Sequence, residues 1–510
     1  MKRLAGTISV WLLYIIGSQA ANERINQEGR ILGPPPAVSA PILFNTSNAD
    51  SVVSAMQIFP VTNPWNEDIS RRPLLANSDA MISQITNSLP PSHWTLVPEF
   101  EMNFVLVPDN QPRVPIYFFN YPDESDLDGG TTPYGLYPIP ANLPIEGWPF
   151  PNTNNLMEWQ TNDDGSDRHA IMVEPGAGYI WETWETAWIG ATNWQASNGA
   201  KFNLNTNGLR RDTWTSGDAG GLPMFSALVR FDEAERGMVE HACRLVVGQS
   251  RAAHIYPATH NTGSTSDPNY PSMGQRVRLK SAFTIPSGWT REEQAVLMGL
   301  KKYGAIVADN GSEFSISVTP DNRWPANCFN HLRSVGITNF EVIQTTSTNE
   351  GPRSAGAPSA FAGPDQLIPP GQSAQLAGAV NWSNLPPAIL LKQYSGPGTV
   401  TFGNAALTNT TAAFTSPGTY VLELSADDGV HAVAYDATVV TVSDVVNLSI
   451  GLSGSNVNLS WTGGTAPFVV QKADTLQEGV WSDVVTTSVQ SVSIAATNVT
   501  GFFRIKANQP

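Results

Sequence analysis

Tyr179-Ile180-Trp181-Glu182-Thr183-Trp184-Glu185 is the densest aromatic stretch of the chain. Side chains of a strand point alternately to opposite faces. Ile180, Glu182 and Trp184 therefore share one face, and Trp181 and Glu185 lie on the other. Alternating or continuous apolar runs recur at Phe104–Val107, Val114–Phe119, Ala170–Val173, Ala227–Phe231, Cys243–Val247, Arg276–Lys280 and Phe314–Val318, which reads as a series of strands. Two segments have helical spacing. Ser78–Ser88 has Asn77 or Ser78 as its cap, and Thr290–Tyr303 opens on Thr290 with Glu293 at the capping-box position and stops at Gly304. Many strands and few helices predict a mainly β chain. Its main domain reads as an antiparallel jelly-roll or sandwich with a few helices, followed by two small Ig-like β-sandwich modules.

The composition fits this reading. Charged residues make up 14% of the 510, and the net charge is −16. An acidic chain of this kind disfavours nucleic acid and anionic membranes as partners. Met1-Lys2-Arg3-Leu4, the apolar run Val10–Gly17 and Ser18-Gln19-Ala20 read as a cleaved export signal over residues 1–21, which places the protein outside the cell. No later stretch is long and apolar enough to span a bilayer. Residues 22–50, with Gly33-Pro34-Pro35-Pro36, read as a linker or draped arm. The main domain is expected at 51–346, a linker at 347–360, and the two modules at 361–444 and 445–510. Cys243 and Cys328 could pair in an exported protein, although the apolar setting of Cys243 suits a small buried thiol.

Three resemblances add to this. Gly363-Pro364-Asp365, Ser416-Pro417-Gly418-Thr419-Tyr420 and Ala426-Asp427-Asp428-Gly429 resemble the polycystic-kidney-disease (PKD) type of Ig-like domain common in secreted bacterial proteins. Val446–Ala507, with Asn456-Val457-Asn458-Leu459-Ser460-Trp461, is similar to the small C-terminal sandwich appended to exported bacterial enzymes. Asn63-Pro64-Trp65-Asn66, Asp167-Arg168-His169, Ser216-Gly217-Asp218-Ala219-Gly220-Gly221 and Ile306-Val307-Ala308-Asp309-Asn310-Gly311 resemble a long family of exported bacterial proteins. That last resemblance implies export and a shared fold, and no established activity comes with it.

The candidate chemistry lies in the main domain. Asp167 and His169 sit two apart at the start of a strand, so His169 could act as a base whose tautomer Asp167 sets. Glu182 and Glu185 are three apart and point to opposite faces, so at most one is catalytic, and Glu182 is favoured. Asp218 and Asp309 are candidates for a second carboxylate. Asp309 ends an apolar run, where desolvation would suit a general acid, or it simply caps the turn that follows. Arg276, Arg278 and Lys280 share a strand face that would line a polar groove or stand in water. Arg230, His241, His260, Trp181 and Trp184 complete the candidate sugar contacts, with core filling as the alternative for the tryptophans.

No cofactor and no metal ligands are assigned from the sequence. The acidic loops Asp123–Gly129 and Asn162–Asp167 could hold structural calcium, or they are solvated turns. No nucleophile elbow, phosphate loop or dinucleotide fingerprint is present. The leading expectation is a monomeric secreted carbohydrate-active enzyme, a glycoside hydrolase or polysaccharide lyase, with a polysaccharide as substrate. The rival is a non-catalytic carbohydrate-binding or adhesion protein.

Overall fold

The computed structural model describes residues 24–150, 155–162, 165–190, 193–345, 356–443, 446–462, 464–474, 481–495 and 501–508. The segment expected to be an export signal, most of the expected 347–360 linker, and Asp163 and Asp164 lie outside them. The chain is mainly β. It divides into two compact units, Arg24–Ala357 with Asp428–Ala432, and Pro358–Asp427 with Val433–Pro510.

The first unit is built on three sheets. The largest runs in the order Phe340–Val342, Arg276–Leu279, Ala305–Asn310, Cys243–Val247, Phe314–Val318, Leu96–Phe100. Its pairs are antiparallel except for two, Cys243–Val247 with Ala305–Asn310 and Phe314–Val318 with Leu96–Phe100. The helix Arg291–Lys302 delivers the chain to the parallel strand Ala305–Asn310, as a parallel pairing requires a crossover. Its capping box is made as the sequence predicts, with Thr290 Oγ1 accepting from Glu293 N and Glu293 Oε2 from Thr290 N. A five-stranded sheet has the order Ile42–Leu43, Val105–Leu106, Ala170–Glu174, Tyr179–Trp184, Asn198–Asn203, and a four-stranded one has Tyr134–Tyr137, Val114–Phe118, Asn193–Ala196, Ala187–Gly190.

Two expectations for this unit are corrected. Residues 24–50 are not a draped linker. Ile42–Leu43 pairs with Val105–Leu106, and Phe44, Ala49 and Val53 enter the core. Burying a side chain such as Phe44 stabilises by about 1.5–3 kcal/mol. The main domain therefore starts well before residue 51, which falls inside the helix Ser47–Ser54. The run Ala227–Phe231 is not a strand. It is a single turn, Phe225–Ala227, followed by a short helix, Phe231–Arg236, whose acidic first turn and αL Gly237 mark its ends. A short run that is buried on every side has no periodicity to separate strand from helix.

The second unit holds two further cores. In the first module a four-stranded sheet (Gln366–Ile368, Ala434–Val442, Gly418–Asp427, Ala388–Ser395) and a three-stranded one (Ala374–Ala377, Asn409–Phe414, Val400–Phe402) share a core of Leu376, Ala412, Leu391, Leu422, Leu424 and Val440. Tyr420 Oη donates to the Ser416 carbonyl at 2.7 Å, the corner that Ig-like sandwiches use. The second module centres on Val457, Leu459, Trp461, Phe468 and Val470, with the Trp461 and Phe468 rings edge to face at 5.4 Å. Both cysteines are free and buried.

Candidate active site

The polar face of the six-stranded sheet is set by register. Arg244 lies opposite Ile306 on one neighbouring strand. Plain alternation would send Asp309 to the other face. A bulge at Ala308 inserts one residue between the partners of Leu245 and Val246, so Asp309 pairs with Val246 and turns onto the face of Arg244. The displaced Ala308 carbonyl accepts from Gly220 N at 2.8 Å and so anchors the loop that carries Asp218. That loop turns at Gly221, where φ is +70° and a Cβ would lie 2.2 Å from Thr259 Oγ1. On the far side, Glu99 and Glu101 pair with Ser315 and Ser317 through their hydroxyls, which donate to the two carboxylates.

Arg244 is the centre. Its guanidinium donates to both carboxylate oxygens of Asp218 at 3.1 Å, to Asp309 Oδ2 at 2.8 Å, and to Glu101 Oε1 and Ser317 Oγ at 3.3 Å. Arg244 and Asp218 are buried, whereas the side chains of Glu101 and Asp309 keep 21% and 27% of their exposure. One guanidinium thus serves three carboxylates. Burial, helped by the neighbouring charges of Glu146 and Glu99 and opposed by Arg244, pushes Glu101 up to about 7. Burial and the charge of Asp218 push Asp309 up to about 6 against the pull of Arg244.

His169 joins the cluster through the Asp218 loop. Its Nε2 donates to the Gly217 carbonyl at 2.8 Å, and its Nδ1 lies 2.7 Å from Glu146 Oε2, which also accepts the His169 backbone N–H at 3.1 Å. Burial alone would lower this imidazole's pKa, but the Glu146 carboxylate outweighs it and raises the value to about 9. Burial would raise Glu146, and the imidazolium holds it below its ordinary range instead. With both nitrogens engaged, His169 is a fixed cation, and the expectation that it acts as a free base is corrected.

The structure places the other predicted residues as follows. Asp167 does not orient His169. Arg168 between them has φ +47°, which breaks the strand alternation, and Asp167 turns outward to accept from Trp184 Nε1 at 3.1 Å. Glu182 is fully buried and accepts from the amides of Met224 (2.9 Å) and Phe225 (2.8 Å), with its pKa raised by burial to about 7. It clamps the turn after the Asp218 loop and has no open face for a substrate. Asp218 likewise holds Arg244 and positions it. Asp309 makes the turn contact expected of it, Oδ1 accepting from Asn310 N at 2.7 Å, while its Oδ2 accepts from Arg244 at 2.8 Å.

Several predicted contacts lie away from this cluster. Trp181 is fully buried, its Nε1 donating to Asp128 Oδ2 at 2.9 Å beneath the Arg113 guanidinium, so it fills the core. Arg276 donates to the carbonyls of Pro64 and Tyr303, Arg278 to Glu341 and to the carbonyls of Ile69 and Arg72, and Lys280 to the Thr338 carbonyl. The segment from Pro64 to Arg72 thus covers Arg276 and Arg278, while Lys280 stays partly exposed beside Thr338. Arg230 and His241 are buried against Glu233, at 2.8 Å and 3.0 Å, beside a cavity of about 30 Å³. His260 is half-buried near the cluster, its Nδ1 donating to the Ala219 carbonyl at 2.8 Å. In the acidic loop Asp123–Gly129, Asp126 accepts from Lys201 N and Arg210, and Asp128 from Lys201 Nζ and Trp181.

Sequence reasoning missed Arg244, Glu101 and Glu146. The available signal for Arg244 is a lone cation inside the apolar run Cys243–Val247. Glu101 alternates with Glu99 in Val97-Pro98-Glu99-Phe100-Glu101, a weak strand pattern, and Glu146 sits in an aperiodic loop with no signal.

No protein-family model matches the chain, and no curated protein matches it. Among solved structures, similarity extends to domains A168–A170 of titin (16% identity, 28% of this chain and 57% of that chain, TM-score 0.15). It extends also to the IG1+IG2 domains of DIP-gamma (10% identity, 29% and 94%, TM-score 0.14) and to Drosophila N-cadherin EC1-4 (12% identity, 68% and 90%, TM-score 0.16). The chain thus spans little more than half of the titin fragment's length. No helix among the described residues is long and apolar enough to cross a membrane.

Proposed function

We propose that the protein is a secreted glycoside hydrolase whose reacting pair is Glu101 and Asp309. The observation that carries this is a pair of solvent-reaching carboxylates of raised pKa, both held by the guanidinium of the buried Arg244. Two carboxyl groups held by one guanidinium are near enough to flank a single glycosidic bond, as the paired acids of glycosidases do. Glu101, protonated up to about pH 7, donates its proton to the leaving oxygen. Asp309, ionised above about pH 6, acts as the base or nucleophile on the opposite side of the sugar. Arg244 holds both in place, and the His169–Glu146 pair braces the Asp218 loop that fixes Arg244. The export signal and the PKD-type and C-terminal modules, read from sequence, fit an enzyme that works on a polymer outside the cell. The test is to incubate the full chain with a panel of polysaccharides, following both new reducing ends and unsaturated products. New reducing ends without unsaturation, lost in Glu101→Gln and Asp309→Asn, are expected. Unsaturated products would make it a lyase, and no product from any polymer would leave the binding protein as the better reading.

A further inference from the structure

The outer face of the four-stranded sheet carries aromatic side chains that the core does not use. On the strand Val114–Phe118, Ile116 and Phe118 are buried, and Tyr117 and the following Phe119 alternate outward. Tyr117 pairs in register with Tyr134 on the next strand, their rings 5.4 Å apart. Tyr121, three residues past the end of that strand, lies 6.2 Å from the half-buried Trp184 of the five-stranded sheet at an interplanar angle of 35°. Tyr117, Phe119, Tyr121 and Tyr134 are 36–51% exposed. Single exposed aromatics are ordinary, but two ring pairs with the exposed Phe119 between them in the chain mark a binding surface.

The groups set among these rings identify the occupant. Asn120 Nδ2 donates to Ser197 Oγ at 3.1 Å and to Glu185 Oε2 at 3.4 Å, and Trp184 Nε1 is held by Asp167. The platform therefore presents ring faces with carboxamide and carboxylate groups beside them. Flat C–H faces flanked by hydroxyls match that surface, because the rings receive the apolar faces and the acids accept from the hydroxyls. A polymer of uronic acids or sulfated sugars would bring its own negative charge against Asp167, Glu185 and a chain of net charge −16.

We infer that Tyr117, Phe119, Tyr121, Tyr134 and Trp184 form a stacking platform for an uncharged polysaccharide chain. The choice of a sugar rests on the hydrolase reading; the preference for an uncharged one rests on the platform alone. The test is affinity electrophoresis of the full chain through gels containing mixed-linkage β-glucan, xylan, galactomannan or alginate. At least one uncharged polymer should retard the protein, and alginate should not. The Tyr117→Ala/Tyr121→Ala double variant should raise the apparent dissociation constant about tenfold or more with an unchanged circular dichroism spectrum. Tyr121→Phe, which keeps the ring, should retain most of the binding. Retardation by alginate alone, by no uncharged polymer, or equally in the double variant would overturn the inference. Assaying cleavage of the same polymers by the unmodified protein separates the two readings: retardation with no polymer cut removes the hydrolase and keeps the platform, whereas cleavage without retardation does the reverse.

Discussion

The main domain buries two arginine-centred clusters whose charges are balanced in opposite ways. Around Arg230, the acids Asp232, Glu233 and Glu240 meet the cations Arg30, Arg230 and Arg236 and the imidazole of His241, each acid touching at least one of the arginines. Around Arg244, the acids Glu101, Asp218 and Asp309 share one guanidinium. Burial disfavours the ionised acid in both places. It is overcome at Glu233, which Arg230 and His241 bring down to about 2, and it prevails at Glu101 and Asp309. The same residue types therefore give a sealed structural brace in one cluster and groups that exchange protons near neutrality in the other. Each variant below breaks or sharpens that contrast.

The largest effect is expected for Arg244→Met. It leaves three carboxylates without their cation, and removing one partner of a buried ion pair costs about 3–5 kcal/mol. Turnover should fall by about a thousandfold or more, since neither carboxylate of the proposed reacting pair is then held. The stability loss should be smaller at pH 5 than at pH 8, because the abandoned acids take up protons at the lower pH. Denaturant titration at the two pH values checks this, and an equal loss at both would mean that the cluster is not short of positive charge.

Glu233→Gln is the matching change in the balanced cluster. It strands Arg230 and His241 in the interior, at a cost of about 3–5 kcal/mol. The folded pKa of Glu233 is depressed, so its stabilisation is present above its ordinary value of 4.5 and is lost as pH falls through about 2. The deficit of the variant should therefore be full at pH 7 and shrink in strong acid. Activity per folded molecule should be unchanged, and a loss in turnover at full folding would extend the reacting site to this second cluster.

Glu101→Gln should do the reverse. Turnover should fall about a hundredfold, with little stability lost. The unmodified protein should show a bell-shaped rate profile with its maximum between about pH 6 and 7, and the alkaline limb should vanish in the variant. Glu101 has a raised folded pKa, so its contribution to stability is present below its ordinary 4.5 and is lost as pH rises through about 7. The variant should accordingly show a flatter stability–pH curve over that window, and an unaltered slope would place the proton elsewhere.

The contrast also shows which parts of the site could be read from sequence. The strands Tyr179–Trp184, Cys243–Val247 and Phe314–Val318 and the Thr290 capping box follow from alternation and local hydrogen bonding, and they stand where the pattern puts them. His169, Asp218 and Asp309 stand out by their neighbours in the chain, and the structure gathers them around Arg244 and the Asp218 loop. Their roles were not legible, because roles depend on groups distant in sequence. Arg244 meets Glu101 across 143 residues, and His169 meets Glu146 through an aperiodic loop. Asp309 reaches Arg244 only because a bulge reverses its face, and period-two counting assigns it the wrong side.

The smallest effect separates the edge of the balanced cluster from its centre. Glu240 ties the N-terminal segment to the domain, pairing with Arg30 at 2.9 Å and Arg236 at 3.5 Å and accepting from Asn26 Nδ2 at 3.0 Å. Unlike the pair of Glu233 with Arg230, these contacts reach water, since the Arg30 and Arg236 side chains are each about a quarter exposed. A charge that water can solvate loses little when its partner goes, so Glu240→Gln should cost about 1 kcal/mol or less, against several for Glu233→Gln. The amide can still accept from Asn26, so the segment should remain docked and merely open more often. Amide hydrogen exchange checks this directly. Faster exchange in residues 24–32 with unchanged rates in the Cys243–Val247 strand is expected, because the opening is local and leaves the core paired. Acceleration of that strand to the same degree would mean that Glu240 belongs to the sealed centre, and that the boundary between brace and edge lies further out than the ion pairs suggest.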